Sequence, residues 1–247
     1  MKKLFFLLVG FSFSLSFGQE VFVTLDYVTV HNTDLEKHIS IEKSHYKKMH
    51  QERVKQGLIL GWDMWIIRNN DYGDFTSTLV FAHLRTKEML AKSGGAPIPG
   101  VDQAVSDQIW QDHMSRILKN GTLVMSVKDM FGGQVDDGPA KFAVLNYMEV
   151  DPVRADEYEK LEIETYKPGH MNSNKAGWGL HKVLNFAGEA TPVNYVTADF
   201  YKDVSTIYMN RNETPQLTKQ NRSSWNQLRK LRKIRQTHIV ELLDQVR

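Results

Sequence analysis

Two nonapeptides set the framework of this chain: "EKSHYKKMH" at residues 42–50 and "EIETYKPGH" at residues 162–170. Both follow the pattern Glu-x-x-x-Tyr-Lys-x-x-His. When the second is aligned on the first, further identities extend the match without a gap from residue 22 to residue 57. A match of this length indicates an internal repeat in which each half of the chain carries one supersecondary unit.

The two halves have the same order of predicted elements, because the same hydrophobic periods recur in the same sequence. The first half has a predicted strand at 21–31, helix at 33–56 ended by Gly57, strands at 58–67 and 75–84, a helix around Trp110 and a strand at 122–131. The second half has a strand at 142–150, helix at 152–167, strands at 178–186 and 193–202, a helix around Trp225 and a strand at 237–243.

The order β-α-β-β-α-β is typical of a ferredoxin-like unit, whose antiparallel sheet carries both helices on one face. Residues 58–67 are apolar on both faces of their strand, so the helix-free face also needs a cover. We therefore predict an α+β fold of two tandem ferredoxin-like units, 19–131 and 141–247. A linker at 132–140 joins them, and they pack sheet to sheet as an intramolecular α+β barrel.

Three features resemble the dimeric α+β barrel superfamily in a tandem, duplicated form: the element order, the step from the helix into "GLILGWDMW" (57–65), and the second helix with Trp110. That superfamily includes the antibiotic-biosynthesis-monooxygenase-like, NIPSNAP-like and stress-responsive barrel families. The resemblance covers nearly the whole chain after residue 18. It implies that an enzyme of this kind would be a cofactor-independent or haem-linked oxygenase or isomerase. It leaves the cofactor unknown and carries over no catalytic residue.

The N-terminus predicts export. "MKKLFFLLVGFSFSLSFGQ" has two lysines, an apolar run and small residues before a cut after Gly18, so residues 1–18 are a predicted signal peptide and the protein is predicted to be periplasmic or secreted. No later apolar segment is long enough to span a bilayer. Acidic and basic residues balance after the cut, and the basic run 229–235 is interpreted as a solvated helix face. No nucleic-acid partner is therefore predicted. The absence of cysteine excludes disulfides.

The repeated motif supplies the main candidate site residues. Glu42, Tyr46 and His50 share the apolar side of the first predicted helix, where a charged group needs a partner. Glu162 and Tyr166 take the matching places in the second half, where Pro168-Gly169 is predicted to end or kink the helix before residue 170. These side chains either fix the packing of helix on sheet or hold a small ligand, with Glu42 or His50 as acid or base.

Strand positions add further candidates for ligand binding. Asp63 and Trp65 lie on one face of a very apolar strand, and His181 in the corresponding strand of the second half is a candidate partner for Asp63. The i, i+4, i+7 spacing of His38, Glu42 and His45 can converge on one ion, although it is not the His-Glu-x-x-His motif. No metal site is predicted.

These observations predict an exported protein that binds or processes a small, apolar or aromatic molecule in a cleft between helix and sheet. The alternative is a non-catalytic structural or interaction protein in which the repeated motif serves packing only. The identity of the ligand and the oligomeric state stay open.

Overall fold

The computed structural model describes residues 20–69, 75–92, 96–132, 134–135, 138–185, 192–212 and 219–247. The predicted signal peptide lies outside these residues, and the predicted linker is described only in part. The strands are β1 (Val21–His31), β2 (Gly61–Ile67), β3 (Thr76–Thr86), β4 (Ile117–Gly132), β5 (Gln134–Val135), β6 (Gly138–Pro139), β7 (Phe142–Val150), β8 (Gly177–Val183), β9 (Tyr195–Tyr201) and β10 (Arg232–Val246).

The helices follow the same order in both halves. They are α1 (Leu35–Ile41), a first π turn (Glu42–Tyr46), α2 (Lys47–Lys55), α3 (Lys87–Ala91), α4 (Gln103–Met114), a 3₁₀ turn (Pro152–Arg154), α5 (Ala155–Leu161), a second π turn (Glu162–Tyr166), α6 (Lys167–Met171), α7 (Val204–Asn212) and α8 (Lys219–Leu231). The short helices α3 and α7 are not predicted from the sequence.

Eight of these strands form one closed antiparallel barrel in the order β1-β3-β2-β10-β7-β9-β8-β4, with β4 pairing back onto β1. The strands of each half are neighbours in this order. The halves meet edge to edge at two seams, where β2 pairs with β10 and β4 pairs with β8. Closure leaves the barrel without a free edge strand.

The predicted packing of two tandem ferredoxin-like sheets face to face is therefore wrong. Residues 58–67 are apolar on both faces, which indicates that both faces are covered but not what covers them. In the structure Trp62 and Met64 of β2 lie under helices, while Trp65 and Ile67 point into the barrel. One curved sheet thus buries both of its faces, since its inner face closes on itself.

Two helical layers cover the outside of the barrel. The first layer consists of α1, the first π turn, α2 and α4, and it packs over an apolar cluster that contains Trp62, Met64 and Phe81. The second layer consists of α5, the second π turn, α6 and α8, and its cluster contains Tyr158 and Trp178. No helix in the described ranges is long and apolar enough to cross a membrane.

The ends of the two motif helices differ from the prediction in one place. Gly57 ends the first helix as predicted, with a φ of +64° that favours glycine. Pro168 and Gly169, however, do not end the second helix, because α6 continues to Met171. Pro168 follows directly on the second π turn, where the i→i−4 hydrogen-bond ladder is already interrupted, so its missing N–H is tolerated there.

Candidate functional site

The candidate site is a cleft of about 330 Å³ between the first layer and the outer face of the barrel. Apolar and aromatic side chains form much of its wall, and several acidic and imidazole groups point into it. The lining residues used below are Asp26, Glu42, Tyr46, His50, Trp62, Phe81, His83 and His113.

The first π turn determines which motif residues reach this cleft. The N–H of Lys47 donates to the carbonyl of Glu42, five residues back, so the turn is wider than an α-helical turn. Glu42, Tyr46 and His50 are all buried, as the sequence predicts. His45 is only half-buried and does not lie in the cluster that the sequence spacing suggests for it.

A buried carboxylate–imidazole pair forms the helical side of the cleft. His113, in the last turn of α4, places its Nε2 2.9 Å from Oε1 of Glu42. Both side chains are almost inaccessible to solvent. His113 is not among the residues predicted from the sequence, because nothing in the spacing links α4 to the repeated motif.

His38 lies behind this pair and is completely buried. Its ring stacks on that of His113 with centroids 3.8 Å apart. Within the described part of the chain, neither ring nitrogen of His38 has a hydrogen-bond partner. Burial lowers the pKa of His38 to about 3, and the nearby His113 and Arg116 act in the same direction, so the ring is neutral.

Aromatic rings form the floor of the cleft. The ring of His50 stacks on Trp62 at 4.8 Å, and Trp62 stacks on Phe81 at 6.1 Å. Burial, followed by the charges of His83 and Arg53, lowers the pKa of His50 to about 2, so this ring is also neutral.

Tyr46 lies above this floor beside His113. Among the described residues its hydroxyl has no partner. Burial and the neighbouring Glu42 raise the pKa of Tyr46 to about 12, which keeps the hydroxyl protonated.

A second acid–imidazole pair lies on the strand side. His83 of β3 places its Nε2 3.3 Å from Oδ2 of Asp26 on β1, and Thr122 donates a hydrogen bond to Oδ1 of Asp26 at 2.6 Å. Burial would raise the pKa of Asp26, but the hydrogen bonds from His83 and Thr122 outweigh it and keep the pKa below its ordinary value. Sequence reasoning misses this pair, whose only signal is that both positions fall on the outward face of alternating strands.

Three other predicted residues lie inside the barrel and not in the cleft. Asp63, Trp65 and His181 line an apolar cavity of about 120 Å³. Asp63 forms an ion pair with Arg247 at 2.7 Å, so His181 is not its partner. His181 instead places Nδ1 3.2 Å from the carbonyl oxygen of Val196.

The remaining predicted residues belong to the second layer. Glu162 forms an ion pair with Arg232 at 2.5 Å, and burial raises the pKa of Glu162 while Arg232 opposes that rise. The ring of Tyr166 packs edge-on against Trp225 at 5.7 Å. No partner for the Tyr166 hydroxyl lies among the described residues.

The cleft can therefore hold a flat molecule on an aromatic floor and present imidazole nitrogens and carboxylate oxygens to its polar groups. Exclusion of water strengthens each of these electrostatic interactions. Among the described residues, the barrel cavity and the second layer have fewer buried polar atoms without a hydrogen-bond partner than the first layer.

Comparison with known proteins identifies the fold. No family model matches the sequence, and no curated protein matches it. A candidate monooxygenase from Lactobacillus acidophilus NCFM is similar in structure, with a TM-score of 0.58 at 11% identity over 92% of this chain and 96% of that one. An anthrone oxidase-like protein has a TM-score of 0.55 at 12% identity over 92% of both chains.

A heme-binding protein from Thermus thermophilus has a TM-score of 0.51 at 9% identity, over 91% of this chain and 92% of that one. At such low identities the likeness concerns the fold alone. The chain thus shares with these solved structures the fold described above, a closed eight-stranded barrel covered by helices.

Proposed function

We propose that this chain is an exported protein that binds a small, partly aromatic molecule in the first-layer cleft and converts it by proton transfer. The observation that carries the proposal is the convergence of two acid–imidazole pairs on one cleft, one pair buried and the other with a partly exposed carboxylate. Glu42 and His113 face it from the helices, and Asp26 and His83 face it from the strands.

The volume and the floor of the cleft define the class of ligand. Small-molecule sites commonly enclose roughly 300–1,000 Å³, so a cleft of about 330 Å³ suits a molecule of two or three fused rings better than a macrocyclic cofactor. Stacking on the rings of His50 and Trp62 favours a flat ligand.

The polar groups define the chemistry. When Nε2–H of His83 donates to Asp26, Nδ1 of His83 has a free lone pair and can accept a proton from an enol or phenol. Glu42 and His113 hold the polar end of the ligand. Removal of a proton from an activated aromatic or enolic substrate is a first step that oxygenases and isomerases share. The similarity to an anthrone oxidase-like protein is consistent with a substrate of this kind.

In the second layer, packing explains the repeated motif better than ligand binding does. There the buried Glu162 is already neutralised by Arg232. We infer that the alternative role of the motif, packing without chemistry, applies to this half only.

Binding of 2-naphthol and anthrone, followed by tryptophan fluorescence, tests the proposal. Glu42→Gln should weaken binding at least tenfold, because the ligand loses its charged partner. The matched variant Glu162→Gln should bind like the parent, with folding checked by circular dichroism. Equal affinities for all three proteins would refute the site, and a Soret band after addition of haemin would redirect the assignment to haem.

Export has a separate test. N-terminal sequencing of the protein recovered outside the cytoplasm should start at Gln19, directly after the predicted cleavage site. A mature protein that retains Met1 would refute this part of the proposal.

A further inference from the structure

Three buried side chains in the first layer converge on one point. Each of His38, Glu42 and His113 offers a ligand atom, and these atoms lie within 4.8 Å of one another. Two of them, Nε2 of His113 and Oε1 of Glu42, are already 2.9 Å apart. His38 and Glu42 are one helical turn apart, and α4 brings in His113 from another element.

Hydrogen bonding within the described residues does not account for this arrangement. His38 is fully buried with both nitrogens unpartnered, and Nδ1 of His113 is unpartnered as well. Buried polar atoms without partners are rare in folded proteins, and each one needs an explanation such as an absent ion or water. The stacked imidazoles also bring one nitrogen of each ring to within 4.8 Å of a carboxylate oxygen of Glu42.

The donor set is that of a transition-metal site. Two neutral imidazoles and one carboxylate bind zinc in hydrolases and iron(II) in oxygenases, where the remaining positions stay open for water or substrate. In such sites, metal–ligand bonds of about 2.0–2.2 Å put the ligand atoms roughly 3.3–3.6 Å apart. In this structure the ligand atoms lie within 4.8 Å of one another, and because the rings of His38 and His113 are stacked, metal binding requires the rings to turn so that a lone pair of each points at one ion.

We propose that His38, Glu42 and His113 bind one first-row divalent cation whose open positions face the cleft. Glu42 and His113 line the cleft, whereas His38 closes the site from behind. A substrate would then approach with an oxygen ligand, such as a phenolate, an enolate or a carboxylate. Only this statement about the substrate rests on the proposed function.

The charges around the site are compatible with a cation. The charge of Arg116 acts on His38, but Arg116 pairs with Asp112, which also pairs with Lys37. Among the described residues of the second layer this donor set is absent: Tyr158 stands one turn before Glu162 where His38 stands before Glu42, and Leu228 follows Trp225 by three residues as His113 follows Trp110. One cation per chain is therefore expected.

Titration of the metal-free mature chain with Co²⁺ tests the inference, because the visible absorption of cobalt reports its ligands and Zn²⁺ can then displace it. We expect one site per chain and a loss of affinity of at least 30-fold in His38→Ala and in His113→Ala. His45→Ala is the matched control, since it removes a histidine of the same helix that lies outside the cluster, and it should bind like the parent. His38→Gln provides a second variant if an alanine variant fails to fold.

The outcomes separate the two proposals. Absence of stoichiometric Co²⁺ binding, or an equal loss in His45→Ala, would overturn the metal site, and 2-naphthol binding by the metal-free protein would then leave the proposed function intact. Co²⁺ binding that depends on His38 and His113, without any binding of 2-naphthol or anthrone, would support the metal site and refute the proposed function.

Discussion

The two helical layers share a framework and differ in the groups that it buries. In both, the motif histidine stacks on a tryptophan of the sheet: His50 on Trp62, and His170 on Trp178 at 5.6 Å. The strand residue paired with that tryptophan is His83 in the first layer but Asp199 in the second. The same backbone thus carries a cluster of imidazoles on one side and a cluster of ion pairs on the other.

The groups facing the motif glutamates show what the difference means. Strand β10 begins with Arg232, which neutralises Glu162, whereas β4 begins at the same point of its half with Ile117. Glu42 therefore has only His113 as a close partner among the described residues. The second layer neutralises its buried glutamate with an arginine of its own half, whereas the first layer keeps polar groups available for a ligand.

The largest expected effect comes from breaking the ion pair of the second layer. Arg232→Leu removes the ion-pair partner of the buried carboxylate of Glu162, and such a loss costs about 3–5 kcal/mol. Urea denaturation should show this decrease in the free energy of unfolding. The double variant Arg232→Leu/Glu162→Leu should recover most of it. Lys160→Ala, in an exposed pair with Glu164, should have no measurable effect, and a similar result for Arg232→Leu would contradict the comparison.

The pH dependence of stability comes next. Burial lowers the pKa of His170 to about 4, Lys175 and Arg232 add to this shift, and Asp199 opposes it. Between pH 6.5 and 4 the unfolded chain protonates this histidine while the folded chain does not, so stability is complete above pH 6.5 and falls as the pH decreases. His170→Phe keeps a ring on Trp178 and removes the titrating group.

When the pH is lowered from 7 to 5, the free energy of unfolding should therefore decrease by about 1–2 kcal/mol less in His170→Phe than in the parent. Denaturation at both pH values measures this. His50→Phe is the matched variant of the first layer and should act in the same direction, because burial lowers the pKa of His50 to about 2. If the free energy of unfolding changed with pH in the same way in parent and variants, these rings would be accessible to protons in the folded state and the prediction would be wrong.

Local patterns predict the elements well and their closure poorly. Alternation and β-branched residues predict β1 at its observed bounds, and the repeat predicts β7 at its bounds and the burial of both motif glutamates. The seams of the barrel depend on contacts such as Trp65 opposite Leu242, residues that are far apart in the sequence and carry no local signal of pairing. The apolar pattern of β2 fits a closed barrel and a pair of facing sheets equally well.

The candidate site is half predictable for the same reason. Glu42, Tyr46 and His50 follow from the period of one helix, whereas His113 and the Asp26–His83 pair reach the cleft only through the packing of other elements. A spacing argument confined to one helix selects His45, which the wider π turn leaves outside the cluster.

The lysines of the motif join the two halves, and replacing either one is expected to lower the free energy of unfolding by the same amount. Lys47 pairs with Asp244 of β10 at 2.6 Å, and Lys167 pairs with Asp129 of β4 at 2.8 Å, so each motif helix binds the last strand of the other half. Lys47→Met and Lys167→Met should each cost about 1–1.5 kcal/mol and should add in the double variant, because the sites are independent. A clear difference between the two, measured by urea denaturation, would show that the seams are not equivalent.

The smallest expected effect concerns two tyrosines from equivalent positions of the halves, which meet inside the barrel. The hydroxyl of Tyr27 lies 2.6 Å from that of Tyr147, and Tyr147 also lies 3.3 Å from Nδ1 of His238. Burial raises the pKa of both tyrosines, so both hydroxyls stay protonated and one donates to the other. Tyr27→Phe removes one hydrogen bond but leaves Tyr147 paired with His238, so it should lower the free energy of unfolding by about 0.5 kcal/mol. Tyr147→Phe leaves the hydroxyl of Tyr27 without this partner and should lower it by about 1 kcal/mol. Thermal and urea denaturation of the two single variants would measure the difference, and a larger loss in Tyr27→Phe would show that Tyr147 depends on Tyr27 and not on His238.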